Sequence, residues 1–211
     1  MRILVIGASH GIGLATTRKA LAEGHVVTAF VRPSSKMTLV SPRLAVWRGD
    51  ILDESHLEPA VAACEAVAIT LGVPPSRKPI TLFSEFTRHL LAVLWRTGPR
   101  RVLAVSGIGA GDSRGHGGFF YDRIVQPLLL SSNYADKERM EDRLRGWGGD
   151  WLVVRPGFLT NGPETGRFDV LTDMTGVKAG KISRADVARF LVQEMVAPTR
   201  RAQTVLLTAP R

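Results

Sequence analysis

Short apolar runs alternate with stretches of helical spacing along the whole chain. Arg2 to Ile6 reads as a short buried strand, and Gly13 to Glu23 has helical spacing through Leu14, Thr17, Ala20 and Leu21, stopped by Gly24. A second strand is predicted from His25 to Val31 and a third from Leu44 to Trp47. Glu54 to Cys64 reads as a short helix, Ala66 to Leu71 as a fourth strand, Leu82 to Arg96 as a longer helix and Arg101 to Ser106 as a fifth strand. A glycine-rich loop from Gly107 to Gly118 leads to two helical stretches, Phe119 to Leu130 and Tyr134 to Trp147, and Trp151 to Arg155 is a sixth strand. Ser183 has the hydroxyl of an N-cap before a last helix from Arg184 to Val196, and Thr204 to Leu207 is the closing strand. Such alternation predicts an α/β fold, a doubly wound and mostly parallel sheet with helices on both faces, in three layers. No linker or repeat interrupts the pattern, so residues 1–211 are expected to form one domain, with small C-terminal elements shaping a pocket.

Composition narrows the class. A chain of 211 residues buries one substantial core but is too short to carry a large second domain. Its 45% hydrophobic and 22% charged residues are those of a packed globular protein, which excludes a disordered or fibrous one. No apolar run approaches the roughly 20 residues of a spanning helix, and strand character begins at Arg2, so a cytoplasmic protein without membrane attachment is expected. The single Cys64 can form neither an internal disulfide nor a thiolate cluster, and reads as a small buried helix residue. The five histidines lack metal-ligand spacing, so no metal is expected. The net charge of +9 is spread along the chain, with no basic tail interleaved with aromatics, which makes a nucleic-acid partner the weaker expectation and suits phosphate-bearing small molecules.

The most specific feature is Gly7-Ala8-Ser9-His10-Gly11-Ile12-Gly13, between the first strand and the first helix. A glycine-rich turn lets the backbone approach a pyrophosphate without Cβ collisions, and the helix that starts there presents unpaired N–H groups and the positive end of its dipole. The spacing is GxxxGxG, a variant of the GxGxxG dinucleotide fingerprint. Nineteen residues beyond Gly13, where an acidic residue would accept from an NAD ribose, stands Arg32, followed by Ser34, Ser35 and Lys36. A guanidinium there can pair with an adenosine 2′-phosphate, so NADP(H) is preferred over NAD(H) as the cofactor.

These residues, with Gly49-Asp50-Ile51-Leu52-Asp53, Leu71-Gly72, Lys137-Glu138-Arg139-Met140 and Val154-Arg155-Pro156-Gly157, resemble the short-chain dehydrogenase/reductase superfamily of Rossmann-fold proteins. The likeness is to its compact atypical branch, biliverdin-IXβ reductase/flavin reductase above all, and extends through Thr165-Gly166 and Lys181 to Asp186. It implies that Ser9, His10, Gly11 and Ile12 contact the pyrophosphate, Arg32 and Ser35 the 2′-phosphate, and Asp50 and Ile51 the adenine. It further implies that Leu71 and Gly72 pass beside the ribose and nicotinamide, that Lys137 contacts the nicotinamide ribose, and that Pro156, Gly157 and Phe158 line the nicotinamide side. Ser106, ending the fifth strand, stands where the superfamily keeps a hydroxyl near hydride transfer.

The catalytic pattern departs from the superfamily's Tyr-x-x-x-Lys. Tyr134 is followed three residues later by Lys137, and Tyr121 four residues later by Val125, so the phenol and ammonium at 134 and 137 share a helix face at an altered spacing. Ser106, Lys137 and Tyr134 are the catalytic candidates. His116 in the glycine-rich loop and the Phe119-Phe120-Tyr121 cluster are candidates for substrate contact. A minimal reductase needs only a bound nicotinamide, a planar acceptor stacked on it and exclusion of water. The expectation is an NADPH-dependent oxidoreductase acting on a flavin, quinone or tetrapyrrole, as a monomer or homodimer. The alternative is a non-catalytic NADP(H)-sensing regulator; a sugar-nucleotide epimerase or dehydratase ranks third, because the substrate domain and the usual tyrosine–lysine pair are missing.

Overall fold

The structure, a computed structural model, describes residues 1–210 apart from 75, 77, 99, 112–114, 117–122 and 124–129. Strands β1 (Arg2–Ile6), β2 (Val26–Val31), β3 (Leu44–Arg48), β4 (Ala66–Ile69), β5 (Arg101–Val105) and β6 (Trp151–Pro156) follow the predicted runs closely. So do helices α1 (Gly11–Ala22), α2 (Glu54–Ala62), α3 (Leu82–Thr97), α4 (Ser131–Arg145) and α5 (Arg184–Val196). Three short strands were not predicted: β7 (Phe158–Thr160), β8 (Asp169–Leu171) and β9 (Lys181–Ser183), each three residues long and so without a readable period. The closing strand is β10 (Gln203–Thr208). The predicted helix Phe119 to Leu130, with Phe119, Phe120 and Tyr121, lies outside the described residues apart from Arg123 and Leu130.

The main sheet has the order β3-β2-β1-β4-β5-β6-β10-β8, parallel throughout except for the β10–β8 pair. A second, two-stranded sheet pairs β7 with β9 in parallel. Period-two burial explains the layers: Ile3 and Val5 of β1 face one core, while Leu4 and Ile6 face the other. The first core is closed by α1 and α5 and the second by α2, α3 and α4, so both faces are dry, as a parallel sheet requires. Helix α3 buries Phe83, Phe86, Leu90, Val93 and Leu94 along one stripe. Each such residue, fully buried, contributes roughly 1.5–3 kcal/mol. Cys64 is buried in the second core just past the end of α2 rather than on the helix, with Sγ donating to the Val61 carbonyl, and burial pushes its thiol up to about 12.

Two features carry the fold into the site. The chain leaves β1 toward β2 on one side and reaches β4 on the other, which opens a crevice at the carboxyl ends of β1 and β4. Helix α4 is locked to α3 by the fully buried Asp136, whose carboxylate accepts from the Phe83 backbone N–H at 2.8 Å, the Ser84 N–H at 3.4 Å and the Ser84 hydroxyl. That carboxylate caps a helix whose own N-cap, Thr81, makes no side-chain cap.

Candidate functional site

The glycine turn is built by exclusion. A Cβ on Gly13 would lie 2.3 Å from the Gly7 carbonyl oxygen and 2.5 Å from Thr70 Oγ1, so only glycine lets α1 start so close to β1 and β4. Gly7 has φ +83° and Gly11 φ +56°, in the left-handed region that glycine occupies without strain. Thr70 donates its hydroxyl to the Ile6 carbonyl at 2.7 Å and fixes this corner, a role the sequence alone did not reveal. His10 is the N-cap of α1 but makes no side-chain cap, and no acidic residue stands in the first turn. The first-turn N–H groups and the positive end of the helix therefore face the crevice without a counter-charge from α1 itself. Ser9 Oγ lies 2.8 Å from His10 Nδ1, both at the mouth, while Ile12 packs inward.

Beyond β2, Arg32 is exposed and Ser35 is buried, with its Oγ making no hydrogen bond among the described residues. Arg48, at the end of β3, donates through Nη1 to the Ser35 carbonyl at 2.7 Å and to the Pro33 carbonyl at 3.3 Å, and so shapes the turn that carries Arg32 and Ser35. Asp50 is exposed and accepts from the Leu52 N–H at 3.0 Å, with Ile51 buried beside it. Past β4, Leu71 packs against the second core and Gly72 faces open space, since a Cβ there would meet nothing within 4 Å.

At the next strand end the predicted catalytic residues come together. Lys137 donates from Nζ to the Ser106 carbonyl at 2.7 Å and stands 6.0 Å from the centre of the Tyr134 ring and 5.3 Å from that of Phe83. Tyr134 lies over the turn after β5: a Cβ on Gly107 would be 3.4 Å from its hydroxyl. Ser106 Oγ is buried and makes no hydrogen bond among the described residues. Burial pushes the Lys137 ammonium down to about 8. Gly72, Phe83, Asn133, Tyr134 and Lys137 line a cavity of 160 Å³ here. On the far side, Gly157, between β6 and β7, allows the chain to pass against Gly180, the residue before β9, whose carbonyl would lie 2.4 Å from a Cβ at 157, and Phe158 N–H donates to that carbonyl at 3.0 Å. Pro156 is buried and Phe158 half-buried. His116 donates from Nδ1 to the Val177 carbonyl at 2.7 Å, tying its loop to that same side. A larger groove of 490 Å³ lies at the other ends of α1 and α5, beside Phe168 and Val170, and contains none of the residues singled out from the sequence.

Residues 7–198, from the first glycine of the turn to the end of α5, match the family described as NAD(P)H-binding. The chain belongs to the NAD(P)H-binding family. It is 26% identical over 201 residues to the Bacillus subtilis uncharacterized sugar epimerase YhfK, covering 92% of this chain and 88% of the relative. Among solved structures it is similar to ChuY, an anaerobilin reductase of Escherichia coli O157:H7, with a TM-score of 0.83, 25% identity, and coverage of 100% of this chain and 98% of that one. It shares its fold with a short-chain dehydrogenase/reductase of Veillonella parvula solved in complex with NADP, with a TM-score of 0.82, 19% identity, and coverage of 99% and 94%. The resemblance to the atypical reductases therefore holds at the level of an NAD(P)H-binding family with a Rossmann-type fold. In this family member four residues beside the site escaped the sequence reading: Thr70, Arg48, Asn133 and Asp136. All four act through backbone contacts on other elements, which leave no motif in the sequence; Asn133, for one, donates to the Val73 carbonyl at 3.4 Å. Among the described residues no helix is long and apolar enough to cross a membrane.

Proposed function

We propose that this protein is an NADPH-dependent reductase of a small planar acceptor of flavin, quinone or tetrapyrrole type. The observation that carries the reading is the meeting of Lys137 and Tyr134 at one cavity beside Gly72, with Lys137 bonded to the Ser106 carbonyl at the strand end. The residues fit a dinucleotide. The turn from Gly7 to Gly13 has glycine where a Cβ would collide with backbone, and two buried hydroxyls, Ser35 and Ser106, have no partner among the described residues and suit a ligand that brings one. Ser9, His10, Gly11 and Ile12 hold the pyrophosphate, and Arg32 and Ser35 the 2′-phosphate, which favours NADP(H) over NAD(H). Asp50 and Ile51 flank the adenine, Leu71, Gly72 and Lys137 the nicotinamide ribose, and Pro156, Gly157 and Phe158 the nicotinamide side.

When bound, the reduced nicotinamide supplies a hydride to the acceptor. The protein's own share is orientation, exclusion of water and custody of a proton. Lys137, held by the Ser106 carbonyl, keeps its ammonium 6.0 Å from the centre of the Tyr134 ring, so the two proton-bearing groups stand together at the cavity. Ser106 Oγ is a further polar group at that strand end. The likeness to the ChuY reductase supports the reductase reading over a regulator. The test is fluorescence titration with NADPH and NADH, followed by NADPH oxidation with FMN, a quinone and biliverdin. Tight NADPH binding with turnover of any acceptor supports the proposal. Tight binding with no turnover favours the sensing regulator, and no binding overturns the proposal.

A further inference from the structure

Many cations of the chain are engaged by carboxylates, and Arg184 at the crevice is held by a neutral partner instead. Lys19, Arg96, Arg101, Arg145, Arg189 and Arg200 each face a carboxylate in an ion pair. Arg184, the first residue of α5, forms no ion pair among the described residues; its Nη1 donates instead to the neutral Asn161 Oδ1 at 2.8 Å. Its Nε lies 3.8 Å from where a Cβ on Gly11 would stand, so the guanidinium sits over the glycine turn at the start of α1. A cation at that end of a helix opposes the dipole, and the first turn of α1 has no acidic residue to offset it. Two positive features thus share one small space with no anion between them.

The placement is built into the framework. Thr160 and Ser183 are register partners in the β7–β9 pair, which sets Asn161 and Arg184, the residues that follow them, side by side. Asp186, in the first turn of α5, accepts from the N–H groups of Thr165 and Gly166, both at 2.8 Å, and from the Thr165 hydroxyl at 2.9 Å, which pins the chain that follows Asn161. The nearby carboxylate of Glu164 is engaged by Lys19 and Arg189.

We propose that Arg184 is a pyrophosphate-binding residue: its guanidinium, held by Asn161, closes on the dinucleotide from the α5 side and presses it against the first-turn N–H groups of α1. The inference rests on the dinucleotide reading given above and adds to it a second element of the fold. A guanidinium offers charge-assisted hydrogen bonds to phosphate oxygens that the backbone turn alone does not supply. Because the pyrophosphate is common to both dinucleotides, Arg184 adds affinity without choosing between them, in contrast to Arg32.

The test is calorimetric titration of wild type, Arg184→Gln, Arg184→Lys and Asn161→Ala with NADPH, NADH and adenosine 2′-monophosphate, which lacks the pyrophosphate. Arg184→Gln is expected to weaken NADPH and NADH alike, by about tenfold, and to leave the monophosphate unchanged. Arg184→Lys is expected to recover part of the loss and Asn161→Ala to show a smaller one. Thermal unfolding of ligand-free Arg184→Gln is expected to match wild type. Wild-type dinucleotide binding with an equal Kd for Arg184→Gln overturns the inference alone, as does an equal loss for the monophosphate. If wild type binds neither dinucleotide, the parent reading falls and this one with it.

Discussion

The glycine turn between β1 and α1 and the acceptor side between β5, α4 and β6 reach the same crevice by different physics. In the first, the backbone is the binding surface, and what matters is the absence of side chains at Gly7, Gly11 and Gly13. In the second, charged side chains from separate elements are pushed inside and neutralise one another: Arg155 and Glu141 have no solvent exposure, with Arg155 Nη2 donating to Glu141 at 2.6 Å and Nε at 3.1 Å. Steric exclusion is local and cheap to specify. A buried charge network ties the geometry of the acceptor side to stability, since no member can be removed without leaving another charge in a dry interior.

The largest expected effect probes that network. Arg155→Met takes from the buried Glu141 its fully buried partner and leaves it the half-exposed Arg145 at 2.8 Å, and is expected to cost about 3–5 kcal/mol in urea unfolding. The double variant Arg155→Met/Glu141→Leu is expected to regain most of this, because a well-packed apolar pair tolerates the dry site. A single variant within about 0.5 kcal/mol of wild type would mean that the network is not what holds α4 against β6.

The next effect strikes the turn. Gly13→Ala puts a methyl against the Gly7 carbonyl and Thr70 Oγ1, and backbone on one side with a hydroxyl tied to the Ile6 carbonyl on the other leaves little room to yield. Overpacking of this kind typically costs about 1–3 kcal/mol. Dinucleotide binding is expected to fall by far more than the stability loss explains, since α1 must draw back from the crevice. Titration with NADPH at a temperature where the variant is folded separates the two, and binding at wild-type affinity would contradict the steric account.

These two sites also mark what was legible in the sequence. The turn from Gly7 to Gly13 could be read because its constraint lies within seven consecutive residues. Strands and helices were legible wherever periodicity ran for a turn or more. The Arg155–Glu141 pair joins residues 14 apart on different elements, and the Asp136 cap on α3 reaches across 53, so no local pattern announces either. Tyr134 and Lys137 fall between these cases. Their three-residue spacing departs from the superfamily pattern, yet the helix still brings the ammonium within 6.0 Å of the ring centre.

Lys137 sharpens the comparison by pH. Burial sets its folded value at about 8, below the ordinary 10.5, so the charged form is less favourable in the folded protein than in the unfolded one. Below about pH 8 both states hold the proton and the folded state bears the full cost of burying the charge. Between about 8 and 10.5 the unfolded chain keeps the proton that the folded one has lost, so this residue's contribution to stability rises with pH. Lys137→Met removes the titration. Its stability relative to wild type is expected to be most favourable near pH 7 and to decline toward pH 10, by urea unfolding at each pH. A difference that stays flat would show that the ammonium is not buried as described. Activity is expected to run the other way, because a neutral Lys137 no longer presents a positive charge at the cavity.

The smallest expected effect returns to the cofactor side. Arg48 stands at the exposed end of β3 and donates to backbone, the carbonyls of Pro33 and Ser35, and those two bonds set the turn that presents Arg32 and the Ser35 hydroxyl, which has no partner among the described residues. Exposed hydrogen bonds contribute about 1 kcal/mol or less, so Arg48→Ala is expected to unfold within about 1 kcal/mol of wild type. What it should lose is discrimination. With the turn free to move, NADPH affinity is expected to drop roughly fivefold while NADH affinity barely changes, because only the 2′-phosphate is read by this turn. Equal losses for the two dinucleotides would place Arg48 among general supports of the sheet edge. A selective loss would show that the turn's conformation, as well as the charge of Arg32, chooses the cofactor, which brings a side-chain device of the acceptor-side kind into the half of the site where backbone otherwise rules.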